Sequence, residues 1–179
     1  MATRSTIALE FADGTVEQVY CHWDGYLAHN GHILQNHYSN PFILRDLIDL
    51  GDISSLGKII GTKHPFSPFV SDTDEFKALP QDEQDRIKEQ IRKAHDTAKE
   101  AGHTTFYGRD REETRVGAKK FKDYADYVAN HQYEEYDYIL RSVCGEAVWF
   151  VSDHDGAYVP LVSAILDDQD RIAQEETAE

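Results

Sequence analysis

The spacing of apolar and polar residues predicts a β-hairpin at the start of the chain. Residues 6–11 and 15–23 are rich in β-branched and aromatic side chains. They flank Asp13-Gly14, a dipeptide favoured in tight hairpin turns because glycine readily adopts a positive φ. Val16 is out of phase with Val19, Cys21 and Trp23, which indicates a bulge or the end of a strand in this region.

The last third of the chain has the same β character. Three segments predict strands: residues 135–141, 147–151 and 157–161. Turns are predicted at Cys144-Gly145 and Asp155-Gly156, where glycine follows the last residues of a strand. We therefore expect a β-meander at the C-terminal end, followed by a tail from residue 172 to 179 that is poor in apolar residues and frayed.

Helical spacing of apolar residues dominates the middle of the chain. It predicts four helices, at residues 32–38, 41–50, 81–101 and 121–128. The third is the clearest, and its thin apolar stripe indicates a surface helix. Three connections are also predicted: a turn or a single helical turn at residues 52–57, a proline-containing loop or arm at 61–80, and an exposed charged loop at 108–117.

These elements predict one α+β domain over residues 1–179. The N-terminal hairpin and the C-terminal meander form a mostly antiparallel sheet, with the helices between them. The length of 179 residues agrees with a single domain.

The net charge of the chain limits the classes of molecule that it is expected to bind. Asp and Glu total 33 against 18 Lys and Arg, a formal net charge of −15. This balance argues against direct binding to nucleic acid or to anionic lipid, both of which need a basic face. There is no apolar run of about 18 residues, so no transmembrane helix is expected. Two cysteines and no apolar leader indicate a cytoplasmic protein without a disulfide framework.

The acidic residues occur in groups. One segment carries acids interleaved with tyrosines and contains no Lys or Arg. We take it as the main candidate surface for a basic protein partner, formed by Asp123, Tyr124, Asp126, Tyr127, Glu134, Glu135, Tyr136 and Asp137. Carboxylates attract a cationic groove as phosphates do, and tyrosine adds contact area at little entropic cost. Further acids lie at residues 72–85 and 153–179.

A second candidate site lies at the end of the first hairpin. It comprises four residues close to Cys21 that are candidates for binding a small molecule, together with two arginines from the charged loop. These residues are His22, Trp23, Asp24, Tyr26, Arg109 and Arg111. The alternative is a set of polar residues that only fixes a strand-to-loop corner.

No sequence motif indicates a cofactor or a resident metal. Cys21, His22 and Asp24 precede His29 and His32, but this spacing matches no zinc motif. Gly51 and Gly57-Lys58 resemble a phosphate-binding loop only superficially, because the spacer is too long and Ile59 replaces Ser or Thr. We therefore expect no catalytic residues and no cofactor.

The N-terminal string Thr3-Arg4-Ser5-Thr6-Ile7-Ala8, followed by Cys21-His22-Trp23-Asp24-Gly25-Tyr26 and Asn30-Gly31, resembles a largely uncharacterised family of small phage, prophage and plasmid proteins. Shorter similarities lie at residues 106–111, 135–138 and 149–152. The resemblance implies a protein of a mobile genetic element in a bacterial cytoplasm, and it implies no reaction.

Three functional hypotheses follow. The first is a non-enzymatic, DNA-mimicking protein that inhibits a host defence or nucleic-acid-handling protein with a basic groove, such as a CRISPR effector or a restriction complex. The second is a nucleotide-binding or metal-dependent hydrolytic protein with its site around residues 21–26. The third is a regulatory or structural interaction module. The sequence does not determine the oligomeric state.

Overall fold

A computed structural model describes residues 2–66, 73–152 and 156–177. It contains eight strands: β1 (Ser5–Glu10), β2 (Val16–Trp23), β3 (Ile53–Ser55), β4 (Thr105–Phe106), β5 (Lys119–Phe121), β6 (Tyr136–Val143), β7 (Glu146–Ser152) and β8 (Val159–Pro160). Its helices are α1 (His32–His37), α2 (Pro41–Asp49), α3 (Asp74–Lys77), α4 (Gln81–Glu100), α5 (Tyr107–Arg111), α6 (Tyr124–Asn130) and α7 (Leu161–Thr177), and a π-helical turn over Leu27–Gly31 precedes α1.

The strands form one mixed sheet in the order β4-β3-β2-β1-β6-β7-β8, and β5 pairs with the beginning of β2. Most neighbouring strands are antiparallel, but β1 runs parallel to β6 and β2 parallel to β3. The predicted α+β fold, with the hairpin and the meander in one sheet, is therefore confirmed. The hairpin is joined to the meander by parallel pairing of β1 with β6, residues 5–9 lying opposite 136–140.

The two faces of the sheet are covered by different elements. One face packs against α1, α2 and α7, and its core includes Ile7, Val19, Leu34, Leu44, Leu47, Tyr138, Leu140 and Leu161. The opposite face has a smaller cluster with α6 and β5, formed by Ala8, Val16, Phe121, Tyr127 and Ile139. Each fully buried large aliphatic side chain contributes roughly 1.5–3 kcal/mol, so the first face carries most of the apolar stabilisation.

Local signals in the sequence position several of these elements. Asn40 caps α2, because its side chain accepts a hydrogen bond from the Phe42 amide (2.9 Å), and Pro41 occupies the first turn. Gly51 follows the helix with φ +80°, and a Cβ there would clash with the Val116 carbonyl. This glycine is therefore required where the chain turns from α2 into β3.

Four predicted segments differ from the structure. The helix predicted at 121–128 is displaced, because Phe121 belongs to β5 and α6 runs from Tyr124 to Asn130. Residues 52–57, expected to be a turn or a single helical turn, include strand β3, because pairing with β2 and β4 outweighs a weak local signal. The charged segment 108–117, expected to be an exposed loop, begins inside α5, and Asp110 is buried. The tail expected to fray from residue 172 continues as helix α7 to Thr177.

The predicted arm at 61–80 contains the short helix α3, and residues 67–72 lie outside the described part of the chain. The turn at Asp155-Gly156 also lies partly outside it. Helix α4 is a surface helix as predicted, since Ala98 is its single buried residue.

Candidate functional site

The acidic segment predicted as a partner surface begins with two carboxylates that organise helix α6. Asp123 caps the helix by accepting a hydrogen bond from the Asp126 amide (2.7 Å). Asp126 accepts hydrogen bonds from the Lys122 amide (3.0 Å) and the Asn130 side chain (2.8 Å). These hydrogen bonds, with a smaller effect from Lys122 and Lys119, hold the pKa of Asp126 below its usual value. Both acids therefore have structural partners within the chain.

Two residues predicted to lie on this surface are in the interior. Asp137 is 2% exposed and Tyr127 is fully buried. Thr6 donates a hydrogen bond from Oγ1 to Asp137 (2.6 Å), and His131 Nε2 lies 3.7 Å from the same carboxylate. The reason is topological: β6 lies between β1 and β7, and α6 covers the face towards which Asp137 points. The prediction that these two residues lie on an exposed surface is therefore wrong.

The remaining members of the segment do not form one patch. Tyr136 stacks with Tyr138 on the sheet face opposite to Asp137, because successive residues of a strand point to opposite faces. Glu135 accepts a hydrogen bond from the Arg4 amide (3.1 Å), whereas Glu134 lines a polar cleft with Arg4 and Tyr20. These residues and Tyr124 are all half-buried.

The surplus of acidic over basic residues is greatest on helix α7, within the further acidic group at residues 153–179. This helix has five acids and one base, Arg171. Arg171 forms ion pairs with Asp168 and Glu175 (both 2.8 Å), so the exposed Asp167 and Asp170 are left without an ion pair to a described residue. By contrast, α4 carries six acids against five bases and is nearly neutral.

Helix α7 also exposes apolar side chains. Leu161 and Ile165 pack into the core, whereas Val162 and Leu166 are 50% and 56% exposed on the other side. Positions four residues apart lie on one helical face, so these two side chains form a short apolar strip next to Asp170. We call Val162, Leu166, Asp167 and Asp170 the α7 surface.

The second predicted site, around residues 21–26, is largely a structural corner. Cys21 is buried, which raises the pKa of its thiol to about 11, and it contacts the side chain of the buried Asn30. Gly25 packs so tightly against Arg4 and Ser5 that a Cβ would clash with them. The Gly25 carbonyl accepts a hydrogen bond from the Tyr138 hydroxyl (2.7 Å). Much of the Cys-His-Trp-Asp-Gly-Tyr string is therefore explained by packing.

Arg109 does not belong to this site. Its guanidinium is mostly buried and donates hydrogen bonds to Asp110 and to three backbone carbonyls, those of Ile60, Gly61 and Thr104 (2.7–3.1 Å). It therefore ties α5 to the segment after β3. This corrects the prediction that Arg109 is available to a small molecule.

His22 lies near other polar side chains that the sequence did not group with it. The Tyr20 hydroxyl is 2.7 Å from His22 Nδ1. Asp52 orients the region, because its carboxylate accepts from the Tyr20 amide (2.9 Å) and its carbonyl accepts from the Tyr107 amide (3.0 Å). Arg111 lies over the Tyr107 ring at 4.6 Å. We call Arg4, Tyr20, His22, Tyr107 and Arg111 the strand-end cluster.

The electrostatics keep the central pair of this cluster neutral. Burial, followed by the charges of Arg4 and Arg111, lowers the pKa of His22. Burial and the charge of Glu134 raise the pKa of Tyr20 to about 12. At neutral pH the phenol is therefore protonated and the imidazole uncharged, and the imidazole tautomer decides which of the two donates the hydrogen bond. This arrangement can hydrogen-bond a polar ligand, and the exposed Trp23 ring lies 4.7 Å from the His22 ring, whereas the exposed Tyr26 lies against His29.

Among the described residues, no group of three or more His, Cys, Asp or Glu side chains is arranged to hold a metal ion. In the same residues, no helix combines the length and apolar character needed to cross a membrane. The chain shows no significant match to a protein-family model, a curated protein or a solved structure.

Proposed function

We propose that the protein is a non-enzymatic binding protein that docks on a basic surface of another protein, with the α7 surface as its contact. The observation that carries this proposal is the combination, on one helix, of exposed Val162 and Leu166 with Asp167 and Asp170, carboxylates that form no ion pair with a residue in the described part of the chain. Apolar residues supply contact area, and the carboxylates supply attraction to cations and a fast encounter.

The partner we propose is a nucleic-acid-handling host protein, of the kind that defends a bacterium against mobile elements. A groove that binds nucleic acid is a large cationic surface, and a row of carboxylates competes for it by charge. The resemblance of the N-terminal string to phage and plasmid proteins is the reason for choosing this class of partner. The binding protein itself would not contact nucleic acid, given its net charge of −15.

The small-molecule alternative around residues 21–26 is less well supported. Of its two predicted arginines, Arg109 is committed to the fold, and Arg111 is 3.1 Å from the carboxylate of Glu113. Glu134 lies close enough to Tyr20 to raise its pKa. The strand-end cluster thus has its positive charges offset by nearby acids, and it lacks the surplus of cations that a nucleotide phosphate needs.

The test compares two double variants with the same change in charge. Asp167→Asn with Asp170→Asn removes both carboxylates from the α7 surface, and Asp82→Asn with Asp85→Asn removes two exposed carboxylates from α4. A partner is captured from a bacterial lysate, purified, and titrated calorimetrically at about 50 and about 500 mM NaCl. We expect the α7 variant to bind at least about tenfold more weakly at low salt and the α4 variant to bind as the parent does.

Displacement by DNA and a pair of single variants also test the proposal. Duplex DNA added in excess should displace the protein from its partner, and Leu166→Ser should weaken binding more than Ile59→Ser, which alters an equally exposed side chain elsewhere. Equal loss in both double variants, or an affinity that is unchanged by salt, would overturn the proposal.

A further inference from the structure

A cavity of about 690 Å³ lies at the end of the sheet remote from the strand-end cluster. It is bounded by the turn between β1 and β2, the first turns of α2, and the turn between β6 and β7. Pockets that bind small molecules usually measure about 300–1,000 Å³. The cavity therefore has the size of a ligand site, and none of the residues that line it belongs to the α7 surface.

The lining of the cavity is largely apolar. The buried Leu9 and Leu140 reach it from the central strands β1 and β6, so they form its floor. Phe11, Phe42 and Ala147 form walls at its sides. Phe42 is 77% exposed, which is unusual for a phenylalanine with no role in the core. An apolar ligand in the cavity would cover this ring.

The charged residues of the lining are of both signs, and the side chains of Glu10 and Arg141 lie on the sheet face opposite to Leu9 and Leu140. The lining contains two arginines and one acid, Glu10, although the chain as a whole has a net charge of −15. Arg141 is held in place, since its Nε lies 2.8 Å from the Glu10 carboxylate and its guanidinium stacks on Tyr124 at 3.4 Å. Arg141 and Glu10 therefore neutralise each other.

Arg45 is the remaining charge. Its guanidinium lies over the Phe11 ring at 5.8 Å, and the nearest acid, Asp49, is 3.9 Å away with both side chains more than half exposed. An exposed pair at that distance contributes little energy, so the guanidinium is available to another anion. Arg45 thus places one positive charge at the edge of an apolar cavity.

We propose that this cavity binds a small amphipathic carboxylate, of the class of medium-chain fatty acids, with the chain on Leu9, Leu140 and Phe42 and the carboxylate on Arg45. A guanidinium binds a carboxylate through paired hydrogen bonds, and the apolar chain removes Phe42 from water. This inference is independent of the α7 surface, which lies on other residues.

The probe for the test is sodium dodecanoate, below its micellar concentration, titrated calorimetrically into the full chain. We expect saturable binding at one site. Arg45→Gln should weaken it about tenfold, since a hydrogen-bonded charge pair contributes about 1.5 kcal/mol or more. Dodecanol should bind the parent protein about as weakly as dodecanoate binds the Arg45 variant, and dodecyltrimethylammonium should bind more weakly still.

Two further variants test the location. Ala147→Trp and Ser142→Trp each place an indole in the cavity from an exposed position on paired strands, so at least one is expected to fold and to abolish dodecanoate binding. Ile59→Ser, remote from the cavity lining, should bind dodecanoate as the parent does. Circular dichroism and thermal melting identify the variants that fold.

The exposed thiol of Cys144, next to Gly145 in the cavity lining, gives a second readout. Bound dodecanoate should slow its reaction with a disulfide reagent in the parent protein and not in Arg45→Gln. No binding of dodecanoate, equal binding of the three probes, or binding that survives a folded tryptophan variant would overturn the proposal. It would also be overturned by a dimer that Phe42→Ser dissociates and dodecanoate does not, because a second copy would then be the occupant.

Discussion

Single residues in this protein differ sharply from what their sequence neighbourhood suggests. Asp110 occurs among charged residues typical of a solvated loop, yet it is buried. Its carboxylate accepts hydrogen bonds from the amides of His64 (3.1 Å) and Phe106 (2.8 Å) and from Arg109 (2.9 Å). Nothing in the local pattern distinguishes Asp110 from the exposed Glu112, because burial here depends on a segment more than 40 residues away.

We predict that Asp110→Asn destabilises the fold by about 3 kcal/mol, because it removes the charge that pairs with the mostly buried Arg109 and turns one of the two acceptor oxygens into an amide nitrogen that faces buried donors. Urea unfolding followed by circular dichroism measures the change. The matched control is Glu112→Gln, which breaks an exposed ion pair with Lys63 and should cost less than about 1 kcal/mol. Similar losses in the two variants would contradict this account of Asp110.

At the scale of secondary structure, the sequence predicted the elements that carry strong local signals. The first hairpin, α2, α4 and the β6–β7 hairpin combine a clear period with turn or cap residues. Strand β3 has three residues, and its pairing with β2 and β4 determines its conformation. The end of α7 was missed because it is poor in apolar residues, but Arg171 bridges Asp168 and Glu175 along the helix and supports it.

The candidate sites were less predictable than the fold. The sequence showed that acids and tyrosines share the segment 123–137, but the strand order that buries Asp137 and the helix packing that buries Tyr127 are tertiary properties. The apolar cavity was not predicted, because its walls come from three separate parts of the chain. The 77% exposure of Phe42 is likewise a property of the structure that the sequence does not show.

Helix α4 is held to the domain near its C-terminal end by a histidine contact that should respond to pH. The rings of His64 and His95 are 5.6 Å apart, and His103 lies 6.1 Å from His64. Burial, followed by the charge of His64, lowers the pKa of His95, while the nearby Asp96 and Asp110 oppose this effect and Lys99 adds to it. His95 Nδ1 is buried without a hydrogen-bond partner among the described residues.

We predict that α4 is held less tightly in acid. A histidine whose folded-state pKa is lowered stabilises the fold above its unfolded value of 6.5, and this contribution is lost as the pH falls below 6.5 towards the folded-state pKa. Hydrogen exchange of the α4 amides, corrected for intrinsic rates, should show less protection at about pH 5 than at about pH 7.5. His95→Gln should reduce this difference in α4 amide protection between the two pH values, whereas His37→Gln, at an exposed histidine outside α4, should not. Equal protection at both pH values would contradict the prediction.

The whole molecule carries its negative charge unevenly. Helix α4 is nearly balanced, and Lys119, Lys120 and Lys122 lie next to the first acids of the segment 123–137. The surplus is therefore greatest on α7. Composition alone gave the size of the surplus, but its position depends on which bases form ion pairs, and that required the structure.

We predict that moderate salt stabilises the protein against heat. With 33 acids and 18 bases, the folded chain repels itself, and screening weakens that repulsion. Raising KCl from about 10 to about 200 mM should raise Tm by roughly 2–4 °C, equivalent to about 1 kcal/mol for a domain of this size. Asp167→Lys with Asp170→Lys should reduce the increase. A Tm that falls with salt would show that favourable ion pairs outweigh the repulsion.

The parallel pairing of β1 with β6 has a consequence for how the protein is made. Residues 5–9 are synthesised before their partners at 136–140, which lie 131 residues further along the chain. Until then the first hairpin exists with one edge of β1 unpaired, an edge that can join strands of other nascent chains. The sheet closes only when residues 136–140 reach β1, and strand pairing over so long a sequence separation is expected to slow folding.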